Sequence, residues 1–191
     1  MIKTANLGYP RIGLRRELKH ALERYWRSAI SIETLFQTAE KIQIENWRTQ
    51  RKLGIDIIPS NDFSYYDHVL DTAMMVGAIP ERFIIPELEN EFKCYFAMAR
   101  GYQSDYAGIV SALEMTKWFN TNYHYLVPEL TPETTFLLNP SKLLNSYQLA
   151  RKHGIETRPV VLGPVSFLKL SKTNQNGFNP LEKLPEILKI Y

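Results

Sequence analysis

Two stretches of this chain gather side chains better suited to chemistry than to packing. From Glu114 to Tyr125 it reads Glu114, Met115, Thr116, Lys117, Trp118, Phe119, Asn120, Thr121, Asn122, Tyr123, His124, Tyr125, with amides, a lysine and a histidine among four aromatics. Burying amides and an ammonium without partners is costly, so this segment, read as one strand, should face a cavity where a ligand or water completes its hydrogen bonds. An edge strand or a satisfied polar network is the plainer alternative. Asn120, Asn122 and His124 fall on alternate positions and so on one strand face, where a satisfied interior network accounts for them better than a ligand does. The second stretch gathers Arg11, Arg15, Arg16, Lys19 and His20 within ten residues. Arg15, Arg16 and Lys19 open an expected helix, where the macrodipole disfavours cations, and Arg16 and Lys19 share a face. An anionic ligand would resolve that conflict, whereas a solvated basic face partly neutralised by Glu17 and Glu23 needs none.

Other groupings carry less. Asp67, His68 and Asp71 invite a metal reading because His68 and Asp71 are three apart on a helix, but two ligands without a third nearby make a poor site; Asp67 reads as a cap and His68 as a packed helix residue. Cys94, the single cysteine, lies beside Lys93 without a histidine partner in its spacing, so a helix-face thiol is the better reading than a nucleophile. One cysteine also excludes an intrachain disulfide and a multi-cysteine metal cage. Glycine-rich phosphate loops, nucleophile elbows and zincin helices do not occur in the sequence.

The elements that must position these residues belong to an ordinary globular composition, with 45% hydrophobic and 23% charged residues in 191. The net charge is +3, yet the basic residues are interspersed with 20 acidic ones, which argues against nucleic acid. No apolar run is long enough for a membrane span and the start lacks a signal-peptide pattern, so a reducing cytoplasm is expected. A short strand is expected over Ala5–Tyr9, then a helix from Leu14 to Ser28 with Leu14, Leu18, Ala21, Leu22 and Tyr25 inward. Ser31 caps a second helix that stops at Gly54, and Ile55–Pro59 forms a buried strand. Ser64 and Asp67 have capping-box-like spacing ahead of a helix over Tyr65–Gly77. Leu88, Phe92, Tyr95, Phe96 and Ala99 mark a helix ending at Gly101. Asn139 and Pro140 begin another, with Leu143, Leu144, Tyr147 and Ala150 inward and Gly154 closing it. Thr157–Leu162 is a strand, and Pro185, Glu186, Ile187, Leu188 and Tyr191 begin a last helix, read as truncated at Tyr191. The junction Lys52–Asp56 resembles Lys152–Glu156, the same helix–glycine–strand step used twice, as repeated β-α units need.

Four stretches carry a family resemblance: Leu7, Gly8, Tyr9, Pro10, Arg11 through Lys19; Gly54 through Asn61, Asp62, Phe63, Ser64 to Leu70; Glu114–Tyr125; and Arg158, Pro159, Val160, Val161, Leu162, Gly163, Pro164 to Phe167. In this order they resemble the N-terminal domain of cobalamin-independent methionine synthase, the 5-methyltetrahydropteroyltriglutamate-homocysteine methyltransferases. The resemblance implies a (β/α)8 TIM-type barrel, of which about four strands and a helical insertion near 78–112 would make the first half. By the same resemblance Arg16, Glu17, Leu18, Lys19 and Lys117, with Arg15 the least secure, bind the tail of 5-methyltetrahydropteroyltri-L-glutamate, and the segment contributes no catalytic residue and no metal ligand. The family's zinc and homocysteine contacts belong to a C-terminal catalytic barrel with no counterpart here, which would be this chain's partner; no cobalamin is involved. A noncatalytic polyglutamate- or anion-binding module, or an inactive truncated fragment, is the alternative reading.

Overall fold

The computed structural model describes residues 2–191 and divides into two compact units, Met1–Tyr65 with Ser141–Val161, and Tyr66–Pro140 with Leu162–Tyr191. In the first unit, α1 (Glu17–Trp26) packs on α2 (Ile32–Lys52). Ser31 caps α2 as expected, its extended backbone letting Oγ accept from the Thr34 N–H at 3.3 Å. Leu35, Ala39 and Ile42, at i, i+4 and i+7, are buried. Each fully buried leucine of such a stripe contributes about 1.5–3 kcal/mol. The helix ends at Lys52, ahead of Gly54 in the left-handed conformation.

Strand β1 (Ile58–Ser60) pairs in parallel with the later strand β6 (Thr157–Pro159), Ile58 opposite Thr157 and Ser60 opposite Pro159, and an isolated parallel bridge joins Ala5 to Ile57. The intervening helix, α5 (Ser141–Lys152), packs on both strands. Trp47, Ile58, Ala150 and Ile155 form the local core, and the Trp47 indole N–H donates to the Pro59 carbonyl at 2.9 Å.

The second unit begins with α3 (His68–Val76), two single 3₁₀ turns at Glu81–Phe83 and Pro86–Leu88, and α4 (Glu91–Arg100). Two antiparallel hairpins follow, β2 (Tyr102–Ser104) with β3 (Gly108–Val110) and β4 (Met115–Lys117) with β5 (His124–Leu126). After the excursion through the first unit come α6 (Pro164–Leu170), a 3₁₀ turn at Pro180–Lys183 and α7 (Leu184–Ile187). Val69, Ala73, Val76, Leu130, Phe167 and Ile187 are central to the core.

Mixed α/β architecture is as the sequence implies, but the sheets are smaller. Among the described residues they are three separate two-stranded pairs, and no closed barrel is seen. Ala5–Tyr9 contributes one bridge and no strand. The first helix starts at Glu17, and Leu14, expected inward, is 98% exposed. Asp67 and not Ser64 caps α3, which therefore starts three residues later than Tyr65. In α5 the buried positions are Ser146 and Ala150, while Leu144 is exposed. The expected strand Glu114–Tyr125 is a hairpin, because Asn, Thr and aromatic residues at 118–123 reverse the chain. Helix α6, and the capping box in which Asn179 and Glu182 bond each other's backbone N–H, were not anticipated, although Asn179, Pro180 and Glu182 are its sequence signal.

Candidate functional site

The basic stretch of the first unit is shaped by two left-handed residues. Gly13 lies at φ 82° and Arg16 at φ 62°; the Arg16 N–H donates to the Gly13 carbonyl at 3.1 Å, and the Leu18 N–H to the Ile12 carbonyl at 3.1 Å. A Cβ on Gly13 would fall 2.1 Å from Glu17 Oε2, the movable end of that side chain, and the left-handed φ of 82° is what favours glycine here. Glu17 folds back over this turn and accepts from the Arg15 N–H at 2.9 Å. The backbone N–H groups of Glu17 and Arg15 hold its carboxyl below the usual range.

Glu17 thus closes the turn, and Leu18, fully buried, anchors the helix, so neither offers a free side chain to a ligand. Arg15 and Arg16 are exposed. Among the described residues Lys19 makes only an i,i+4 pair with Glu23 at 3.5 Å, both half-exposed, of the kind worth a few tenths of a kcal/mol. The result is an exposed cationic edge on a rigid turn, able to exchange water and one weak ion pair for an anion. Arg11, of the same cluster, donates instead to the Ser64 carbonyl at 3.0 Å.

Lys117 lies in the second unit, exposed on β4 directly across from His124. The hairpin reverses through a Trp118 N–H bond to the Tyr123 carbonyl at 2.7 Å, with Phe119 left-handed at φ 53°. Asn120 and Asn122 are exposed turn residues and share no strand face with His124, which corrects the alternating-face reading. His124 Nδ1 lies 3.0 Å from the Asn122 carbonyl, which can only accept, so a bond there has Nδ1 as the donor.

The former metal candidates are structural. Asp67 Oδ1 accepts from the Val69 and Leu70 N–H groups at 2.8 and 3.0 Å, and Oδ2 from the Leu126 N–H at 3.1 Å, so one carboxylate caps α3 and ties it to β5. Burial outweighs these donors and pushes its pKa up to about 7. His68 packs against Trp118 and Tyr123 at ring-centroid distances of 4.7 and 5.7 Å. Asp71 accepts from the Tyr95 hydroxyl at 2.9 Å. Cys94 is buried and its thiol is pushed up to about 11, which makes it inert.

Sequence reasoning passed over the polar cluster following β1. Asn61, left-handed at φ 60°, accepts from Lys142 Nζ at 2.9 Å and donates to the Val160 carbonyl at 2.9 Å, while Asp62 accepts from the Tyr9 N–H at 2.9 Å. Burial raises the Asp62 pKa. The signal available was position: polar residues directly after a buried parallel strand, where α/β proteins place ligands.

An α/β domain with a short parallel pair and a cationic turn ahead of its first helix is the class these features define. The chain belongs to the cobalamin-independent synthase family: the family described as "Cobalamin-independent synthase, N-terminal domain" matches residues 3–191. Its relatives include proteins named 5-methyltetrahydropteroyltriglutamate--homocysteine methyltransferase. That of Salinibacter ruber is 50% identical over 195 residues, covering all of this chain and 25% of the relative. That of Xylella fastidiosa strain M23 is 52% identical over 191 residues, again all of this chain and 25% of the relative. The Flavobacterium johnsoniae protein is 49% identical over 191 residues, with 24% of its length covered. The chain thus spans about a quarter of the length of the curated relatives it matches.

Proposed function

We propose that this chain acts as the N-terminal, folate-tail-binding part of a methyltransferase that moves the methyl group of 5-methyltetrahydropteroyltri-L-glutamate to L-homocysteine, forming methionine. The observation that carries the reading is the exposed cationic edge of Arg15, Arg16 and Lys19 on a glycine-locked turn, in a chain whose family relatives carry that activity in their names. A γ-linked glutamate tail presents a row of carboxylates, and each charge-assisted bond to an arginine or lysine is worth about 1.5–3 kcal/mol. Arg16 and Lys19 are assigned direct contacts with these carboxylates, Arg15 a weaker one, and Glu17 and Leu18 hold the backbone on which the contacts depend. Lys117, on its own hairpin, is assigned a separate contact with the same tail.

Zinc, expected of this family, does not fit these residues. Among the described residues no three His, Cys, Asp or Glu side chains group to hold a metal, and the one thiol is buried with a raised pKa. We therefore place the metal and the homocysteine chemistry on a C-terminal barrel of the full-length enzyme, with this segment inactive alone. The parallel register of Ala5–Ile57 and of β1 with β6 supports our reading of the fold as part of a (β/α)8 barrel, with residues 78–112 as an insertion.

The test is Lys117→Ala in a complete enzyme carrying this segment. Binding of triglutamylated folate should weaken by about 1–3 kcal/mol and that of monoglutamylated folate far less. Equal losses would place Lys117 away from the tail. Triglutamate binding by the isolated chain, with no transfer by any longer form, would favour the noncatalytic anion-binding module.

A further inference from the structure

Asn176 and Gly177 form the only Asn-Gly pair in the sequence. Both are exposed, at a tight turn in which the Phe178 N–H reaches the Gln175 carbonyl at 3.4 Å. Gly177 lies at φ 83°, and nothing stands within 4 Å of where its Cβ would be. Its N–H makes no hydrogen bond to the described residues. The turn borders an open depression of about 400 Å³ lined by Gln175, Glu182, Lys183 and Glu186, so water reaches both residues.

These are the conditions under which an asparagine side chain is attacked by its own backbone, and we infer that Asn176 is a site of spontaneous deamidation through a succinimide. The Gly177 nitrogen forms a bond to Asn176 Cγ while the Cγ–Nδ2 bond breaks; Nδ2 leaves as ammonia, taking up the proton released from the Gly177 N–H. Water then opens the ring at one of its two carbonyls, giving aspartate or an isoaspartyl linkage. No oxidant or reductant enters, and solvent water is the only co-reactant.

The position gives the change a local consequence. A new carboxylate joins Glu182 and Glu186 around Lys183, whose buried ammonium already bonds both Glu186 oxygens at 3.0 and 3.1 Å. An isoaspartyl linkage also lengthens the backbone immediately ahead of Phe178, which packs on the core, and of Asn179, which caps the following 3₁₀ turn.

The experiment incubates the purified protein at mildly alkaline pH in heavy-oxygen water and follows each asparagine by peptide mass spectrometry. The expected result is conversion of Asn176 ahead of exposed Asn122 and Asn145, one solvent oxygen gained per event, and a mixture of aspartyl and isoaspartyl peptides. Gly177→Ala should slow it, since a methyl group hinders ring closure, and Asn176→Gln should bring position 176 down to the background of the other amides. Conversion of Asn122 or Asn145 as fast as Asn176, or an aspartyl product alone without isoaspartate, would overturn the inference.

Discussion

At the scale of single residues, the same side chain often reads one way in sequence and acts another way in space. Glu17 and Leu18 sit inside the basic stretch that reads as a ligand motif, yet one closes a turn and the other fills the core. The cationic residues were legible because helix-start cations conflict with the dipole; that Arg16 is left-handed was not, since its conformation is imposed by Gly13 and the Ile12–Leu18 hydrogen bond. Replacing Gly13 by alanine should therefore cost about 1–3 kcal/mol of stability through the strain of a left-handed φ on an L side chain. Denaturant unfolding of the variant checks this, and a neutral result would mean the turn can rebuild without strain. Asp67 makes a pH prediction. Its folded pKa is raised from 3.8 to about 7, so the folded state holds a proton that the unfolded chain has already released. Its contribution to stability is complete below about pH 4 and is lost as pH rises through about 7, a change on the order of 4 kcal/mol. Urea unfolding across that window should show stability falling with pH and Asp67→Asn flattening the slope. A rise instead would mean that the three N–H bonds outweigh burial.

Whole elements were legible where the pattern was long. Helices α2 and α4 declare themselves by a 3.6-residue stripe, α2 with Ser31 as its cap, while the Asn90 cap of α4 shows only in the structure. Strands were harder because each is only three residues, too short for an alternation to register, and because the amides at 120 and 122 signal a turn as readily as a lined cavity. Long-range ties were invisible to any local pattern. Glu129 joins the Arg82 guanidinium in a two-pronged pair and lies 3.7 Å from Lys172, which itself reaches Glu114 at 2.7 Å; Arg82 Nε also donates to the Ser111 carbonyl. This cluster secures the base of the β4–β5 hairpin that presents Lys117. Glu129→Ala should cost about 1–3 kcal/mol by leaving two cations without their shared partner, and Arg82→Lys should lose part of that by replacing a fork with a point charge. Thermal unfolding of the two variants separates these outcomes; equal and negligible losses would make the cluster ornamental.

For the molecule as a whole, three two-stranded pairs leave backbone edges that further strands would ordinarily cover. The isolated chain is expected to be marginally stable or self-associating, with a concentration-dependent melting transition. Sedimentation and melting across a dilution series test this, and a compact monomer with an invariant sharp transition would show a self-sufficient domain. The parallel pairing of β1 with β6 also has a temporal meaning. Ser60 Oγ meets Thr157 Oγ1 across 97 residues of sequence. At roughly 5–20 residues per second of synthesis, β1 leaves the ribosome about 5–20 s before the strand it pairs with, while α1 and α2 are already free to dock. During that interval β1, every residue of which is buried in the folded unit, including the polar Ser60, lacks the parallel partner that covers it.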